Sequence, residues 1–349
     1  MRRRLYAFLM ITTLLLVLLG VLSYALSTSI NPLGNLPPKA SSPSRIPDDT
    51  VIRFPDPNFE TAVRGIIDKP TGDIIASDVA KIVELDVFGL ELTDLTGIEY
   101  FTALQVLNCG ANFLPNLDFS QNSQLMVLDC SLTGLRTLSV NQCPLLKELY
   151  CDENHLTTLD VSQNPALEII SLYRNELMVL DVSQNPMLEF LWCELNQLKI
   201  LDVSQNPILK KLLCSGNQLT TLNVSQNLSL EELSCFGNQL TALDGGLNLA
   251  LVELSCGQNL LTTLDLSQYT ALTSLSCENN ELTTLDVRRN PALKSLSCVG
   301  NQLTTLDISQ SPMLKVLSCQ NNFFLNQSAI IGLEESRLDS FTFDPQNAI

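Results

Sequence analysis

Hydrophobic and polar positions recur with a fixed period along most of this chain. Counting in steps of 21 residues from Cys109, the sequence returns to cysteine nine more times, and only Leu172 interrupts the series. Asparagine stands three residues after nearly every member of the series, with Thr133 as the exception within it. The cysteine positions are Cys109, Cys130, Cys151, Cys193, Cys214, Cys235, Cys256, Cys277, Cys298 and Cys319. Such a period predicts one supersecondary unit stacked many times.

Each unit predicts a short strand followed by a turn. In the segment Leu191, Trp192, Cys193, alternate side chains point to opposite faces, so Leu191 and Cys193 face inward and Trp192 faces outward. One coil cannot bury its own leucines, so its neighbours supply the other walls of the core. Stacked strands lie ~4.8 Å apart, which predicts a parallel sheet roughly 50 Å long. An inward asparagine can satisfy both donors and acceptors where the chain leaves the strand. Where Thr133 replaces it, we expect a looser turn.

The unit resembles the leucine-rich repeat, with cysteine where many relatives have a third strand leucine. The resemblance runs from about Val83 to Asn322 and implies an α/β-type repeat solenoid. The implied shape is a right-handed horseshoe with a parallel β-sheet on its concave face and a short helical N-terminal cap. One complete unit is formed by Leu188, Leu191, Cys193, Asn196, Leu198, Leu201, Asp202, Val203, Ser204 and Asn206.

The segment before the repeats predicts two helices that close the end of the core. Asp56 is a candidate N-cap and Pro57 a candidate first helical residue, and a second short helix is predicted over 77–82. The apolar face of the first helix is predicted to contain Phe59, Val63, Ile66 and Ile67. With its continuation through 83–100, this start resembles that of internalin-like bacterial surface or secreted proteins. The sequence departs from that family at Leu90, where the family has asparagine.

The two ends of the chain predict its domain organisation. Residues 1–26 are predicted to be a signal peptide or membrane anchor, because three arginines precede an uncharged apolar stretch at 7–26. Cleavage after Ala25 and retention as an anchor both stay open, and either places the repeats outside the cytoplasm. We then predict a disordered Pro/Ser spacer at 27–50, the helical cap at 51–82, about eleven to twelve repeats of 21–22 residues at 83–322, and a C-terminal cap at 323–349. Within that cap we expect a helix over 328–335 and an extended piece over 340–343.

The net charge of the chain indicates which kinds of partner it can bind. The chain has a net charge of −17, and loss of the first 25 residues with their three arginines makes it about −20. Such a surface repels nucleic acid and anionic lipid, so a neutral or basic protein partner is expected, with the cell's own membrane contacted only through an uncleaved N-terminal segment.

The eleven cysteines are predicted to be free thiols in the core, because Leu172 occupies one position of the cysteine series, so that position requires an apolar side chain and not a bond partner. Cys143, which lies off the series, is predicted to be accessible.

The sequence offers no set of residues for catalysis. His155 is the only histidine, and the residues around it provide no triad, so we predict no enzyme activity, no metal site and no cofactor. A column of aspartates could bind calcium or could cap the turn that follows each of them. Ser139 and Asn223 share that position and favour the capping role. The aspartates are Asp118, Asp160, Asp181, Asp202, Asp244, Asp265, Asp286 and Asp307.

The outward positions of the strands predict a binding surface. From residue 234 onward the central outward position is serine in every coil, whereas the middle coils carry Tyr150, Trp192 and Leu213 there. Exposed aromatic clusters mark interaction sites, although these rings could also pack only against one another. The predicted partner-binding residues are Asp129, Glu148, Tyr150, Asp152, Tyr173, Arg174, Phe190, Trp192, Glu194 and Leu213. We expect extracytoplasmic protein recognition or adhesion, which the internalin resemblance also implies. Carbohydrate binding at the cell envelope through the same aromatics is the alternative.

Overall fold

The computed structural model describes residues 47–243 and 245–347. Helix α1, Pro57–Ile66, begins as the sequence predicts, because the Asp56 carboxylate accepts hydrogen bonds from the amides of Asn58 and Phe59 at 2.9 and 3.0 Å. Phe59 is buried, but Ile66 is 47% exposed, so the predicted apolar face is wrong at that position. Helix α2, Ala76–Val79, is shorter than the predicted segment and begins one residue earlier.

Thirteen parallel strands form one sheet in the described part of the chain. Their order is β1 to β11, then β13, then β15, and β12 pairs with β14 in a separate two-stranded sheet. The strands are β1 Glu84–Asp86, β2 Val106–Asn108, β3 Val127–Asp129, β4 Glu148–Tyr150, β5 Ile169–Ser171, β6 Phe190–Trp192, β7 Lys211–Leu213, β8 Glu232–Ser234, β9 Glu253–Ser255, β10 Ser274–Ser276, β11 Ser295–Ser297, β12 Leu306–Asp307, β13 Val316–Ser318, β14 Ile330–Ile331 and β15 Ser340–Thr342. The predicted solenoid with its concave parallel sheet is confirmed.

The register follows the period of the sequence. Leu191 of β6 pairs with Ile170 of β5 and with Leu212 of β7, and all three side chains are buried. The middle residue of each strand therefore enters the core, while the residues on either side of it face outward. The outward side chains at equivalent positions form columns across the sheet. One column contains Asp129, Tyr150, Ser171, Trp192 and Leu213.

A first column of buried asparagines joins each coil to the one before it. The Asn196 side-chain amide donates to the carbonyls of Leu172 and Cys193 at 2.8 and 3.2 Å, and its Oδ1 accepts from the Leu177 amide at 3.0 Å. Both kinds of polar group are satisfied, as the sequence predicts. Thr133 is buried as well, and its hydroxyl donates to the Cys130 carbonyl at 2.7 Å. That bond replaces part of the asparagine network at this coil.

A second column of buried asparagines was not predicted from the sequence. Asn185 donates to the carbonyls of Val161 and Asn164 at 3.0 and 2.9 Å, but its Oδ1 has no hydrogen-bond partner among the described residues. The asparagines with this arrangement are Asn122, Asn164, Asn185, Asn206, Asn227, Asn248 and Asn290. Cys143 occupies the same position one coil after Asn122.

All eleven cysteines are buried free thiols, as predicted for the series, and the prediction that Cys143 is accessible is wrong. Cys143 is 0% exposed because it replaces a buried asparagine of the second column, and its sulfur contacts the Asn122 carbonyl at 3.8 Å. Burial raises the pKa of the Cys143 thiol to about 11. Desolvation also raises the pKa of Cys235, to about 12. The thiolate forms of Cys143 and Cys235, which would react with oxidants and metals, are therefore disfavoured.

The C-terminal segment closes the core with short elements. The helix predicted over 328–335 is wrong, because this stretch contains the 3₁₀ turns Gln327–Ala329 and Glu335–Arg337 with β14 between them. β14 pairs with β12, which draws the chain into an extended conformation at Ile330 and Ile331. The extended piece predicted over 340–343 is confirmed as β15, which adds to the sheet beside β13.

The predicted export segment and most of the predicted spacer lie outside the described residues. Within residues 47–243 and 245–347, no helix has the length and apolar character needed to cross a bilayer.

Candidate interaction surface

The sheet brings nine of the ten predicted binding residues to one face, across the strands and strand ends of β3 to β7. We call Tyr150, Tyr173, Phe190, Trp192 and Leu213 the aromatic patch, and Asp129, Glu148, Asp152 and Glu194 the acidic rim. All nine side chains are half-buried. Arg174, the tenth residue, is exposed in the turn that follows Tyr173, and its guanidinium lies 5.9 Å from the Tyr173 ring centroid.

The aromatic patch is ordered by contacts between residues of the same strand. Trp192 and Phe190 lie two residues apart on β6, and their ring centroids are 6.3 Å apart in a tilted arrangement. Tyr150 lies on β4, two strands away, and its hydroxyl donates to the Glu148 carboxylate at 3.0 Å. Ser171 stands between Tyr150 and Trp192 and is buried. The patch is thus a partly packed surface that still presents ring area to solvent.

The four carboxyl groups of the acidic rim all have pKa values above the ordinary values of aspartate and glutamate. Burial raises the pKa of Asp152 to about 6, against hydrogen bonds from the Ser171 hydroxyl at 2.6 Å and the Tyr173 amide at 2.8 Å. Burial also raises the pKa of Glu194 to about 7, and the nearby charges of Asp152 and Glu232 add to that shift. The pKa values of Asp129 and Glu148 are raised by burial too.

The aspartate column lies outside this face and has a structural role. The carboxylate of Asp181 accepts a hydrogen bond from the Ser183 amide at 2.9 Å, and Asp202 and Ser204 repeat the arrangement at 2.9 Å. These hydrogen bonds lower the pKa of both carboxylates. The turn-capping role is confirmed. In the described part of the chain, which omits Asp244, no group of three or more potential ligands is placed to hold a metal ion.

His155 lies at the surface, where its ring contacts a carboxylate. Its Nδ1 is 2.9 Å from the Glu176 carboxylate, and both side chains are about half exposed. The pair is a surface contact between neighbouring coils. Its geometry gives no role in a triad, because Cys151 is enclosed in the core.

Comparisons with known proteins place this chain in a family. No family model matches the chain. Over 71 residues, 20% of the chain, it is 39% identical to Internalin J of Listeria monocytogenes serotype 4b (strain F2365). That segment spans only 8% of the length of Internalin J.

Two solved structures extend the likeness. The functional domain of InlJ from Listeria monocytogenes, described as including a cysteine ladder, is 33% identical with a TM-score of 0.65, and the match covers 84% of this chain and 74% of that domain. The leucine-rich repeat protein LIC12759 of Leptospira interrogans is 26% identical with a TM-score of 0.62, over 71% of this chain and 74% of that one. The chain belongs to the internalin-like leucine-rich repeat proteins, which are non-enzymatic scaffolds for protein interaction.

Proposed function

We propose that this chain works outside the cytoplasm as a recognition or adhesion module and binds a protein partner on the concave face of β4 to β7. The observation that carries the proposal is the change of residue type in one column of the sheet. Five strands from β8 onward carry serine at the central outward position, from Ser234 to Ser318. β4, β6 and β7 instead carry Tyr150, Trp192 and Leu213.

The core does not require these large side chains, because serine at the same position accompanies the same buried leucine and cysteine. Leu233 and Cys235 flank Ser234 and are as well buried as Leu191 and Cys193 beside Trp192. Tryptophan, tyrosine and arginine are also the residues most enriched in binding hot spots. A partner's contact is therefore a better explanation for the aromatic patch than folding is.

The charge of the surface supports a partner with neutral or basic character. Four carboxylates of the acidic rim surround the aromatic patch, and Arg174 is the only basic residue among the ten predicted contacts. Opposite charge on the partner would accelerate the encounter and disfavour acidic competitors. No described contact favours the carbohydrate alternative over this one.

The extracytoplasmic location is proposed from the sequence before the repeats. The arginines at 2–4, followed by the apolar stretch 7–26, have the character of an export segment. Fractionation of the producing cells with N-terminal sequencing of the protein tests this location. Recovery of the chain only from the cytoplasm would contradict it.

The binding proposal is tested by returning the patch to the serine of the other coils. In the triple variant Tyr150→Ser, Trp192→Ser and Leu213→Ser, each new residue is one that this scaffold already accepts at that position. The immobilised chain is exposed to surface proteins of candidate target cells, and each retained protein is purified and its affinity measured. We expect the triple variant to bind at least about 30-fold more weakly, since one hot-spot residue contributes about 2 kcal/mol.

The matched control carries three substitutions in the same column outside the patch, Ser276→Ala, Ser297→Ala and Ser318→Ala. It should retain the affinity of the unchanged chain. Equal affinity of the triple variant and the unchanged chain for every purified partner would refute the concave site. A glycan array probed with the same proteins tests the carbohydrate alternative. That alternative predicts that the unchanged chain binds glycans on the array and that the triple variant does not.

A further inference from the structure

Three carboxylates of the acidic rim have no cation beside them. The ion pairs among the described residues include Arg174 with Glu153 at 3.7 Å and Lys211 with Glu232 at 2.7 Å, but none involves Asp129, Asp152 or Glu194. Paired charges therefore surround this part of the sheet, and the three carboxylates at its centre are uncompensated. A desolvated carboxylate is unfavourable unless hydrogen bonds or a counter-charge stabilise it.

Glu194 is the member of the three that also lacks hydrogen bonds to its buried oxygen. The Ser131 amide donates to Asp129 at 2.9 Å, and the Ser171 hydroxyl donates to Asp152 at 2.6 Å. The Oε2 atom of Glu194 is buried and has no hydrogen-bond partner in the described structure. A donor from outside reaches this unsatisfied oxygen once the Glu194 side chain, which is half-buried, turns towards the surface.

A second glutamate in the same column shows why Glu194 differs. Glu278 occupies the equivalent position four coils later, and the Ser276 hydroxyl donates to its Oε2. In the coil of Glu194 the residue two positions earlier is Trp192, which has no hydroxyl. The substitution of tryptophan for serine therefore removes the internal donor and places an aromatic ring on the same face of the strand.

We propose, resting on the proposed function, that Glu194 and Trp192 together form the receptor for an arginine side chain of the protein partner. A guanidinium can stack on the face of an indole ring and donate two parallel hydrogen bonds to a carboxylate. It is also less strongly hydrated than an ammonium, so its transfer to a half-buried site costs less than that of lysine. Tyr173 lies one coil before Glu194 and already carries the chain's own Arg174 near its ring, which shows the same pairing.

The charged groups that act on Glu194 are Asp152, two coils earlier, and Glu232, two coils later, with Lys211 held by Glu232. Guanidinium binding requires Glu194 in its ionised form. Because the pKa of Glu194 is raised to about 7 by burial, arginine binding should weaken as the pH falls below neutrality.

The chain has a single tryptophan, so its fluorescence reports on this site alone. The peptide acetyl-Gly-Arg-Gly-amide is titrated into the purified full-length chain at pH 8.0 and at pH 5.5. We expect a saturable change in emission, at least about tenfold weaker binding at pH 5.5, and at least about tenfold weaker binding of the citrulline peptide, which has the same shape without the charge. The lysine peptide should bind with intermediate strength.

Variants locate the effect. Glu194→Gln should weaken the arginine peptide by about tenfold or more and abolish the pH dependence, while the matched control Glu278→Gln should bind as the unchanged chain does. Urea unfolding followed by circular dichroism confirms that each variant is folded. Equal binding of the arginine and citrulline peptides, or an unchanged titration in Glu194→Gln, would overturn the arginine receptor.

The same set separates this inference from the function on which it rests. If a purified protein partner binds Glu194→Gln normally but is lost in the triple serine variant, the arginine receptor fails and the concave site stands. If the triple serine variant also binds normally, both fail.

Discussion

Replacing Asn196 with alanine should destabilise the solenoid far more than replacing Asn185 with cysteine, although both asparagines are buried. Asn196 makes three well-directed hydrogen bonds, to Leu172, Leu177 and Cys193, at 2.8 to 3.2 Å. Its removal leaves the buried Leu177 amide without a partner, at a cost of about 1–3 kcal/mol. It also removes the two hydrogen bonds to the Leu172 and Cys193 carbonyls, at about 1 kcal/mol each, although Asn175 and Asn217 still donate to these carbonyls. Asn196→Ala should therefore lower the free energy of unfolding by about 3 kcal/mol or more.

Asn185 differs because its carbonyl oxygen is already unsatisfied. Asn185→Cys loses two hydrogen bonds, to Val161 and Asn164, each contributing about 1 kcal/mol, but it also removes a buried acceptor that has no donor. The removal of this acceptor offsets about half of the loss of about 2 kcal/mol, so the net loss should be about 1 kcal/mol. The chain itself uses this residue at the equivalent position, where Cys143 is buried without disturbing the coil.

Urea unfolding followed by Trp192 fluorescence and circular dichroism measures both variants. In a repeat protein, one weakened coil can also separate the transition into two phases, because stability is a sum of nearest-neighbour terms. Such a separation would appear as a difference between the two signals in Asn196→Ala. Equal midpoints for the two variants would refute the assignment of different roles to the two asparagine columns.

Three further predictions follow from burial, backbone conformation and charge. In the native chain none of the eleven thiols should react with Ellman's reagent, and all should react in urea; rapid labelling of Cys143 in the native chain would contradict its burial. Arg174→Gly should stabilise the chain by about 1 kcal/mol and so raise its melting temperature, because Arg174 has a left-handed φ of 54° that glycine adopts without strain, while the exposed pair with Glu153 that is lost contributes little. A lower melting temperature would show that the side chain of Arg174 matters more than its backbone conformation. Folding raises the pKa of Asp152 to about 6 and of Glu194 to about 7, so the native state binds these two protons more tightly than the unfolded state does. The free energy of unfolding should therefore fall as the pH rises from 5 to 8. Glu194→Gln should reduce that fall, and a rise in stability over the same range would have the wrong sign.

Much of the fold could be predicted because its physical requirements repeat. The buried position of Cys193 and the turn position of Asn196 recur every 21 residues, and each recurrence tests the same interpretation. The N-cap at Asp56 was predictable because its sequence is local, with proline following at the first helical position. Requirements that lie within one coil, or within one turn, can be recognised without knowledge of the tertiary structure.

The predictions that were wrong concern residues whose burial or conformation depends on contacts with neighbouring parts of the chain. Cys143 was predicted to be accessible because its turn was considered alone, although steps of 21 residues align it with Asn122 and Asn164, which the structure buries. The helix predicted over 328–335 does not form, because pairing of β14 with β12 overrides the local helical preference at Ile330. Ile66 lies at the end of α1, where the adjoining coils leave it exposed.

The candidate surface was predictable in position but not in detail. The sequence placed Trp192 and Tyr150 on one face of the sheet, since the outward column follows from the period alone. It could not show that the Glu194 carboxylate would have an unsatisfied oxygen, while the Asp152 carboxylate accepts a hydrogen bond from Ser171 one coil away. That difference depends on side-chain contacts between coils.

The most direct test of the central claim uses Trp192 as a reporter while a purified protein partner is added to the chain. Because this residue is the only tryptophan and lies in the middle of the aromatic patch, contact should shift its emission to shorter wavelength and protect it from acrylamide quenching. A partner without tryptophan, or one whose emission is subtracted, keeps the signal specific. Unchanged emission and quenching at saturating partner would contradict binding on the concave face of β4 to β7.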